Sequence, residues 1–227
     1  MGKHASVYTY TGKFGEGVGY KNIMGYLNRK YVADVSNPKT KRQNLVRARF
    51  ARLGILSRHF HVSQIGLAKQ AYDQRTYAPS LFVKMNWAAV TAVTPDEVTI
   101  NYSALKIADG TVPQVTFGVP DFETEGSVSV TWTPATGVSG MNNDDKVFVF
   151  IYQPDTGQSV LSAYQRVSDR SITVEVPSVW SGMRVHVYGF VLHGDLVTEG
   201  VTVREMITSA RDCDCSPSTY VGTGDIA

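Results

Sequence analysis

The chain has 227 residues, 43% of them hydrophobic and 19% charged, a composition typical of one large or two small globular domains. Its longest apolar runs, such as residues 147–152, are too short for a membrane-spanning helix. The formal net charge of +2 conceals an asymmetry, because residues 1–76 carry 14 Lys/Arg against 3 acids and residues 77–227 carry 8 against 17. This asymmetry predicts a basic end and an acidic end. It indicates which partners the protein can bind, and it does not indicate the fold.

The N-terminal segment, residues 7–34, has the pattern of a β-hairpin. Aromatic and β-branched residues alternate around Tyr8 and Tyr10, and glycines follow at positions 12, 15, 17 and 19. Strand-like sequence follows these glycines, whereas a dinucleotide-binding loop would need a helix start there. We therefore expect turns and not a phosphate site.

A helix is predicted from residue 41 onward. Thr40 and Gln43 have the spacing of a capping box, in which each side chain bonds the backbone of the other residue. The apolar seam of this helix is expected to comprise Val46, Phe50, Leu53, Ser57 and Phe60, with Leu56 beside it. Lys41, Arg47, Arg52 and Arg58 are expected on the opposite side.

Two shorter helices are expected next. Ser63 can cap a second helix that ends near Ala71, and Pro79 is suited to the first turn of a third one that ends near Trp87.

The second half of the chain has the spacing of a β-sandwich. Seven strands are predicted, at residues 115–117, 127–133, 147–152, 160–165, 172–176, 185–191 and 197–203. Trp132 shares a face with Val128 and Val130 and is expected in the core. The predicted fold class is α+β, with an N-terminal β-hairpin and helical module followed by an immunoglobulin- or fibronectin-like β-sandwich.

These patterns predict three segments: a basic hairpin and helical module at 1–105, a sandwich at 106–206 and an extended tail at 207–227. The two cysteines, Cys213 and Cys215, both fall in the predicted tail, so we expect a fold that does not depend on disulfides.

We find no pattern that predicts catalysis, a cofactor or a metal. His59 and His61 point to different sides of a helix, and His186 is expected on an exposed strand face. The run from Asn142 to Asp145 lacks the oxygen spacing of a calcium loop, which favours a polar turn. The chain is therefore predicted not to be an enzyme, and no catalytic, cofactor-binding or metal-binding residue is named.

The basic residues around the first helix are the candidate partner-binding residues: Lys39, Lys41, Arg42, Arg47, Arg52 and Arg58. Three interpretations remain open for them. They can form a solvated helix face, contact nucleic acid with the neighbouring tyrosines, or pair with an acidic protein surface such as the acidic half of another copy.

Several motifs resemble an uncharacterised family found in Bacteroidetes and, we expect, in the tailed phages that infect them, including crAss-like phages. The motifs are GKFGEGVGY at 12–20, VSNPKT at 35–40, LFVKMNW at 81–87 and PSVWSG at 177–182. A departure is Met24-Gly25-Tyr26, where relatives tend to carry a tryptophan-lysine-glycine turn. The resemblance implies no enzymatic activity, and it suggests a place in a phage particle.

We therefore predict a structural subunit of a phage virion, a neck or tail ring protein that is assembled in the host cytoplasm. Its partners would be copies of itself in a ring-like homo-oligomer, other virion proteins and, non-specifically, DNA, with no membrane. Head-to-tail contacts between a basic and an acidic end would close such a ring. Two alternatives remain. One is an Ig-like surface or adhesin-type module of a Bacteroidetes cell, for which we would expect a secretion signal that the N-terminal pattern lacks. The other is a non-specific DNA-binding protein.

Overall fold

The computed structural model describes residues 11–22, 25–30, 39–135, 139–196 and 201–227. The chain divides into two compact units, residues 1–43 and residues 44–227. The units differ in charge, because the first carries 8 Lys/Arg against 2 acids and the second carries 14 against 18. Each unit is described by itself below.

The first unit contains a three-stranded antiparallel sheet in the order β1-β2-β3, formed by β1 (Gly12–Phe14), β2 (Gly17–Asn22) and β3 (Gly25–Lys30). The tight turn between β1 and β2 uses Gly15 at φ +55°, a conformation that favours glycine. The hairpin prediction is thus confirmed for these strands. The predicted strand residues 7–10 and 31–33 lie outside the described residues.

Helix α1 (Lys41–His59) begins where the sequence predicts. The Thr40 amide donates to Gln43 Oε1 at 3.2 Å, and the Gln43 amide donates to Thr40 Oγ1 at 3.4 Å. Both bonds of the predicted capping box are therefore formed, which satisfies two amides at the start of the helix that have no partner within it.

The apolar seam of α1 is buried only in its second half. Leu53, Leu56 and Phe60 have no solvent exposure, whereas Val46 is 38% and Phe50 is 54% exposed. The seam is thus confirmed toward the C-terminal end of the helix, whereas in its first half Val46 and Phe50 are exposed to solvent.

The predicted second helix is a 3₁₀ segment (Val62–Leu67) followed by α2 (Ala68–Asp73). The Ser63 hydroxyl donates to the Phe60 carbonyl at 2.9 Å and does not cap the segment. The third helix is α3 (Ala78–Met85), with Pro79 in its first turn as predicted. A two-stranded sheet of β4 (Val90–Ala92) and β5 (Val98–Ile100) follows.

The remaining strands form two antiparallel sheets. The smaller has the order β11-β7-β6, formed by β6 (Thr116–Phe117), β7 (Ser127–Thr133) and β11 (Ser171–Glu175). The larger contains β8, β9, β10, β12, β13 and β14, with β8 and β12 paired at its centre. Its strands are β8 (Lys146–Gln153), β9 (Gln158–Leu161), β10 (Gln165–Arg166), β12 (Arg184–His193), β13 (Asp214–Cys215) and β14 (Thr219–Asp225).

The large sheet is buried on both faces, and its side chains are sorted by type. On one face, aromatic residues of β8 and β12, such as Phe150 and Tyr188, share a core with α1, α2 and α3. On the other face, β-branched residues, such as Val149 and Val187, share a second core with β7 and β11, and Trp132 belongs to it as predicted. The second unit is therefore layered, with helices on one side of the central sheet and a small sheet on the other.

This layering corrects the predicted division of the chain. The predicted boundary at residue 105 falls inside the second unit, because the helices and the large sheet share one core. The structure confirms the α+β class, with helices and antiparallel sheets.

Residues 207–227 differ from the predicted extended tail. The segment completes α4 (Val203–Ser209) and then forms β13 and β14, which both pair with β12. The predicted strand at 197–203 lies partly outside the described residues, and its last residue, Val203, begins α4. Thr202 and Glu205 cap this helix reciprocally.

Candidate interaction surface

The structure places most of the predicted partner-binding residues at the surface. In the first unit, Lys39, Lys41 and Arg42 are exposed. In the second unit, Arg47 and Arg58 are exposed, and Arg58 Nε donates to the Gly54 carbonyl at 3.4 Å along the helix. These five residues remain candidates for contact with an anionic partner.

Arg52 is half-buried and lies close to Tyr102 and Tyr152. Burial raises the pKa of Tyr102, and the neighbouring Arg52, which hydrogen-bonds the Tyr102 side chain, opposes that rise. Burial likewise raises the pKa of Tyr152 to about 12, although Arg52 acts against it there too. Arg52 is thus less accessible than the five exposed basic residues, and its role in binding a partner stays a prediction.

Arg52 adjoins a cluster of histidine and tyrosine rings. His59 Nδ1 lies 3.2 Å from the Tyr152 hydroxyl, the rings of His186 and Tyr102 stack with centroids 4.2 Å apart, and His186 Nδ1 lies 3.0 Å from the Tyr220 hydroxyl. Burial, together with nearby arginines, lowers the pKa of His59 and lowers that of His186 to about 4. The expected exposed position of His186 is therefore wrong, because β12 is buried on both faces.

The polar groups of this cluster bond one another. The cluster joins α1 to β8 and joins a turn at residues 102–104 to β12 and β14. Such a network fixes how the helix and the strands pack.

The polar turn at residues 142–145 is organised by a buried carboxylate. Asp145 is 3% exposed, its Oδ1 lies 2.6 Å from His193 Nδ1, and its Oδ2 accepts from the Asn142 amide at 2.8 Å. Both oxygens of this carboxylate are occupied by protein groups. Among the residues that the structure describes, no three His, Cys, Asp or Glu side chains are grouped in a way that could hold a metal ion.

A groove of about 460 Å³ lies between α4 and the edge of the large sheet, lined by Val62, Phe148, Leu161, Tyr164 and Met206 among others. Its lining is largely apolar. Near the same end of the sheet, Cys213 and Cys215 are buried thiols, and burial raises the pKa of Cys215 to about 12. Such a thiol is unreactive at neutral pH.

The structure also gathers acidic residues that the sequence analysis had not grouped. Asp121, Glu123 and Glu125 are all exposed on one loop between β6 and β7, where Val119 is 88% exposed. The sequence shows the local pattern of three acids at alternate positions beside a proline. It does not show the packing of the loop that exposes all three carboxylates together.

These features define an α+β protein with exposed basic residues in each unit and, in the second unit, an acidic loop between β6 and β7. The chain belongs to a family of unknown function, DUF6266, whose family model matches residues 9–204. No curated protein and no solved structure matches the chain. Over the described part of the chain, no helix has the length and apolar character needed to cross a bilayer.

Proposed function

We propose that this chain is a structural subunit that assembles with copies of itself through oppositely charged surfaces. The observation that carries the proposal is the exposure of five basic residues around α1, in a chain whose second unit has excess acid. Surfaces of opposite charge attract each other over about 10 Å at moderate salt, and they fix the orientation of the contact.

The small sheet of the first unit supports a role in assembly. Among the side chains that the structure describes in residues 11–22, 25–30 and 39–43, none belongs to either hydrophobic core. Val18, Tyr20 and Leu27 are only half-buried. A small sheet whose side chains are half-buried is stabilised when a neighbouring subunit covers it.

We further propose that the two facing sheets of the second unit form an immunoglobulin- or fibronectin-like sandwich. In this proposal, β6, β7 and β11 would correspond to strands A, B and E of such a domain, and β8, β12 and β14 would correspond to C, F and G. The observed orders β11-β7-β6 and β8-β12-β14 support this correspondence. Domains of this kind commonly act as rigid modules for presenting contact surfaces, although the fold alone does not define a function.

The particular setting that we propose is a phage virion, as a neck or tail ring protein. The resemblance of the motifs at 12–20, 35–40, 81–87 and 177–182 supports this setting, and a ring is the closed form that a head-to-tail contact gives. In this role the chain performs no catalytic step.

The test is the salt dependence of self-association, measured by sedimentation velocity and native mass spectrometry of the purified chain. We expect oligomers at about 50 mM salt that dissociate as the ionic strength rises, because exposed charge pairs are screened. The variant Lys41→Glu/Arg42→Glu should dissociate the oligomers at low salt. The control Lys84→Glu/Arg204→Glu makes the same charge change on α3 and α4 and should leave them intact. A chain that remains monomeric at high concentration and low salt would contradict the proposal.

Non-specific binding of nucleic acid is the second candidate, and the excess of basic residues in the first unit favours it. A gel shift whose affinity falls steeply with salt, together with a monomeric free protein, would favour this function over self-assembly.

A further inference from the structure

The loop between β6 and β7 contains a β-bulge that turns Val119 toward solvent. The Gly118 amide donates to the Thr131 carbonyl at 2.8 Å, and Asp121 and Ser129 exchange backbone hydrogen bonds of 2.8 and 3.0 Å. Two residues, Val119 and Pro120, therefore lie opposite the single residue between Ser129 and Thr131. A bulge of this kind redirects a side chain, and the proline cannot donate to a ladder at this edge.

The loop is held in place by side chains that point inward. Three glycines of β12 and β14 leave space for these side chains, because a methyl group on any of them would overlap a side chain. The pairs are Gly189 with Phe117, Gly222 with Pro120 and Gly224 with Phe122. The exposure of Val119 is thus the result of a packed loop that presents it.

The charge of the loop is uniform. Residues 119–125 contain three acids and no Lys or Arg, and all three carboxylates are exposed. Asp121 Oδ1 accepts from the Glu123 amide at 2.9 Å, which keeps the turn compact. We call Val119, Asp121, Glu123 and Glu125 the acidic bulge.

A complementary surface lies on α1. Val46, Arg47, Phe50 and Arg58 are all exposed, and a methyl at Gly54 would meet no atom within 4 Å. At about 100° per residue, Arg47 and Arg58 lie beside Val46 and Phe50 and not on the opposite side of the helix as expected. We call Val46, Arg47, Phe50 and Arg58 the α1 stripe.

The stripe is supported from beneath. The Phe50 ring packs on Trp87 with centroids 4.9 Å apart, and the Arg49 guanidinium lies 4.1 Å from the centroid of the Trp87 ring and donates to the Trp87 carbonyl. The exposed apolar pair thus continues the buried seam of the same helix.

We propose that the acidic bulge of one copy docks on the α1 stripe of another copy. The apolar tip at Val119 would cover Val46 and Phe50, and the carboxylates would pair with the two guanidinium groups. Within the second unit the stripe lies on the helical layer and the bulge on the small sheet, with the large sheet between them. One molecule therefore cannot close this contact on itself, and the two different patches give a head-to-tail assembly. The inference rests on the proposed function and names its contact.

Charge exchange tests the pairing. In Glu123→Lys/Glu125→Lys the bulge becomes basic, like the stripe. In Arg47→Glu/Arg58→Glu the stripe becomes acidic, like the bulge. Because the two patches then repel each other, each variant alone is expected to be monomeric at low salt. An equimolar mixture of the two is expected to associate again, because each patch then meets its opposite, and the variant with all four changes is expected to associate by itself. Val119→Ser should weaken association roughly tenfold through the lost apolar contact.

Circular dichroism checks that each variant has the thermal unfolding midpoint of the wild type. If a charge-reversal variant misfolds, Val119→Ser still tests the contact, because it is a mild change at an exposed position. Wild-type association that survives both reversals and Val119→Ser would overturn this contact and leave the proposed self-assembly standing. Dissociation of both variants without recovery in the mixture would also overturn it, since another partner surface would then be involved. A monomeric wild type would instead remove the proposed function itself.

Discussion

At the scale of single residues, His186 shows how burial overrides a local pattern. Alternation along β12 places it out of phase with Val185 and Val187, which suggested an exposed face. Instead it is 9% exposed, because the helical layer and the turn at 102–104 cover that face of the sheet. Burial keeps its imidazole neutral, and the nearby Arg184 adds to the effect.

The lowered pKa of His186 predicts a pH dependence of stability. Its pKa is about 4 in the folded chain and 6.5 ordinarily, so below pH 6.5 the unfolded chain binds a proton that the folded chain does not. The free energy of unfolding should be unaffected by this residue above pH 6.5. It should fall as the pH drops toward 4, by about 2 kcal/mol at pH 5. Urea unfolding at pH 7.5 and pH 5 measures it.

The variant His186→Gln should lose this part of the pH dependence of the unfolding free energy. His61 is exposed, so the control His61→Gln should keep the same pH dependence as the wild type. An unchanged difference between the two pH values in His186→Gln would show that the imidazole is not kept neutral by burial.

At the scale of elements, the C-terminal segment shows how strand pairing decides structure. Residues 213–225 have a mixed polar sequence without clear alternation, which favoured a tail. The Cys215 carbonyl accepts from the Val112 amide at 3.0 Å, and β14 extends the large sheet along β12. When such a segment pairs with the edge strand of a sheet, its backbone amides and carbonyls form hydrogen bonds, whatever its side-chain pattern.

Gly110 provides a test of this docking. A methyl group there would overlap the carbonyl of Cys215, so the two backbones approach more closely than any other residue allows. We expect Gly110→Ala to lower the free energy of unfolding by about 1–3 kcal/mol. Chemical denaturation measures the change.

The control is Gly54→Ala, in α1, where nothing lies within 4 Å of the added methyl. This change should raise stability by up to about 1 kcal/mol, since alanine favours a helix. Equal effects of the two substitutions would contradict the packing of the C-terminal segment against residue 110.

At the scale of the whole molecule, both hydrophobic cores, as far as the structure describes them, fall within residues 44–227. Folding of the second unit should therefore not require the N-terminal sheet. The charge asymmetry of the sequence follows the same division, with the basic excess in the first unit and the acidic excess in the second.

The fragment 39–227, which keeps the Thr40–Gln43 cap, is expected to unfold cooperatively with a free energy within roughly 1 kcal/mol of the full chain. Thermal unfolding followed by circular dichroism compares the two. A midpoint lower by about 10 °C or more in the fragment would mean that residues 1–38 complete one of the cores.

Much of the local structure was predictable from sequence. The capping box at Thr40, the start of α3 near Pro79, and strands β7, β8 and β12 follow from signals within a few residues, because capping and side-chain periodicity are local properties. The basic character of α1 was also visible, although the half-burial of Arg52 was not.

Local sequence patterns were sufficient to predict the α+β class, the positions of most elements and the separation of charge. Three outcomes could be seen only in the folded chain: the central sheet is covered on both faces, residues 219–225 form a strand, and the packing of the β6–β7 loop leaves Val119 exposed. These outcomes depend on contacts between residues far apart in the chain. Short-range patterns carry no information about which distant segment will cover a given face.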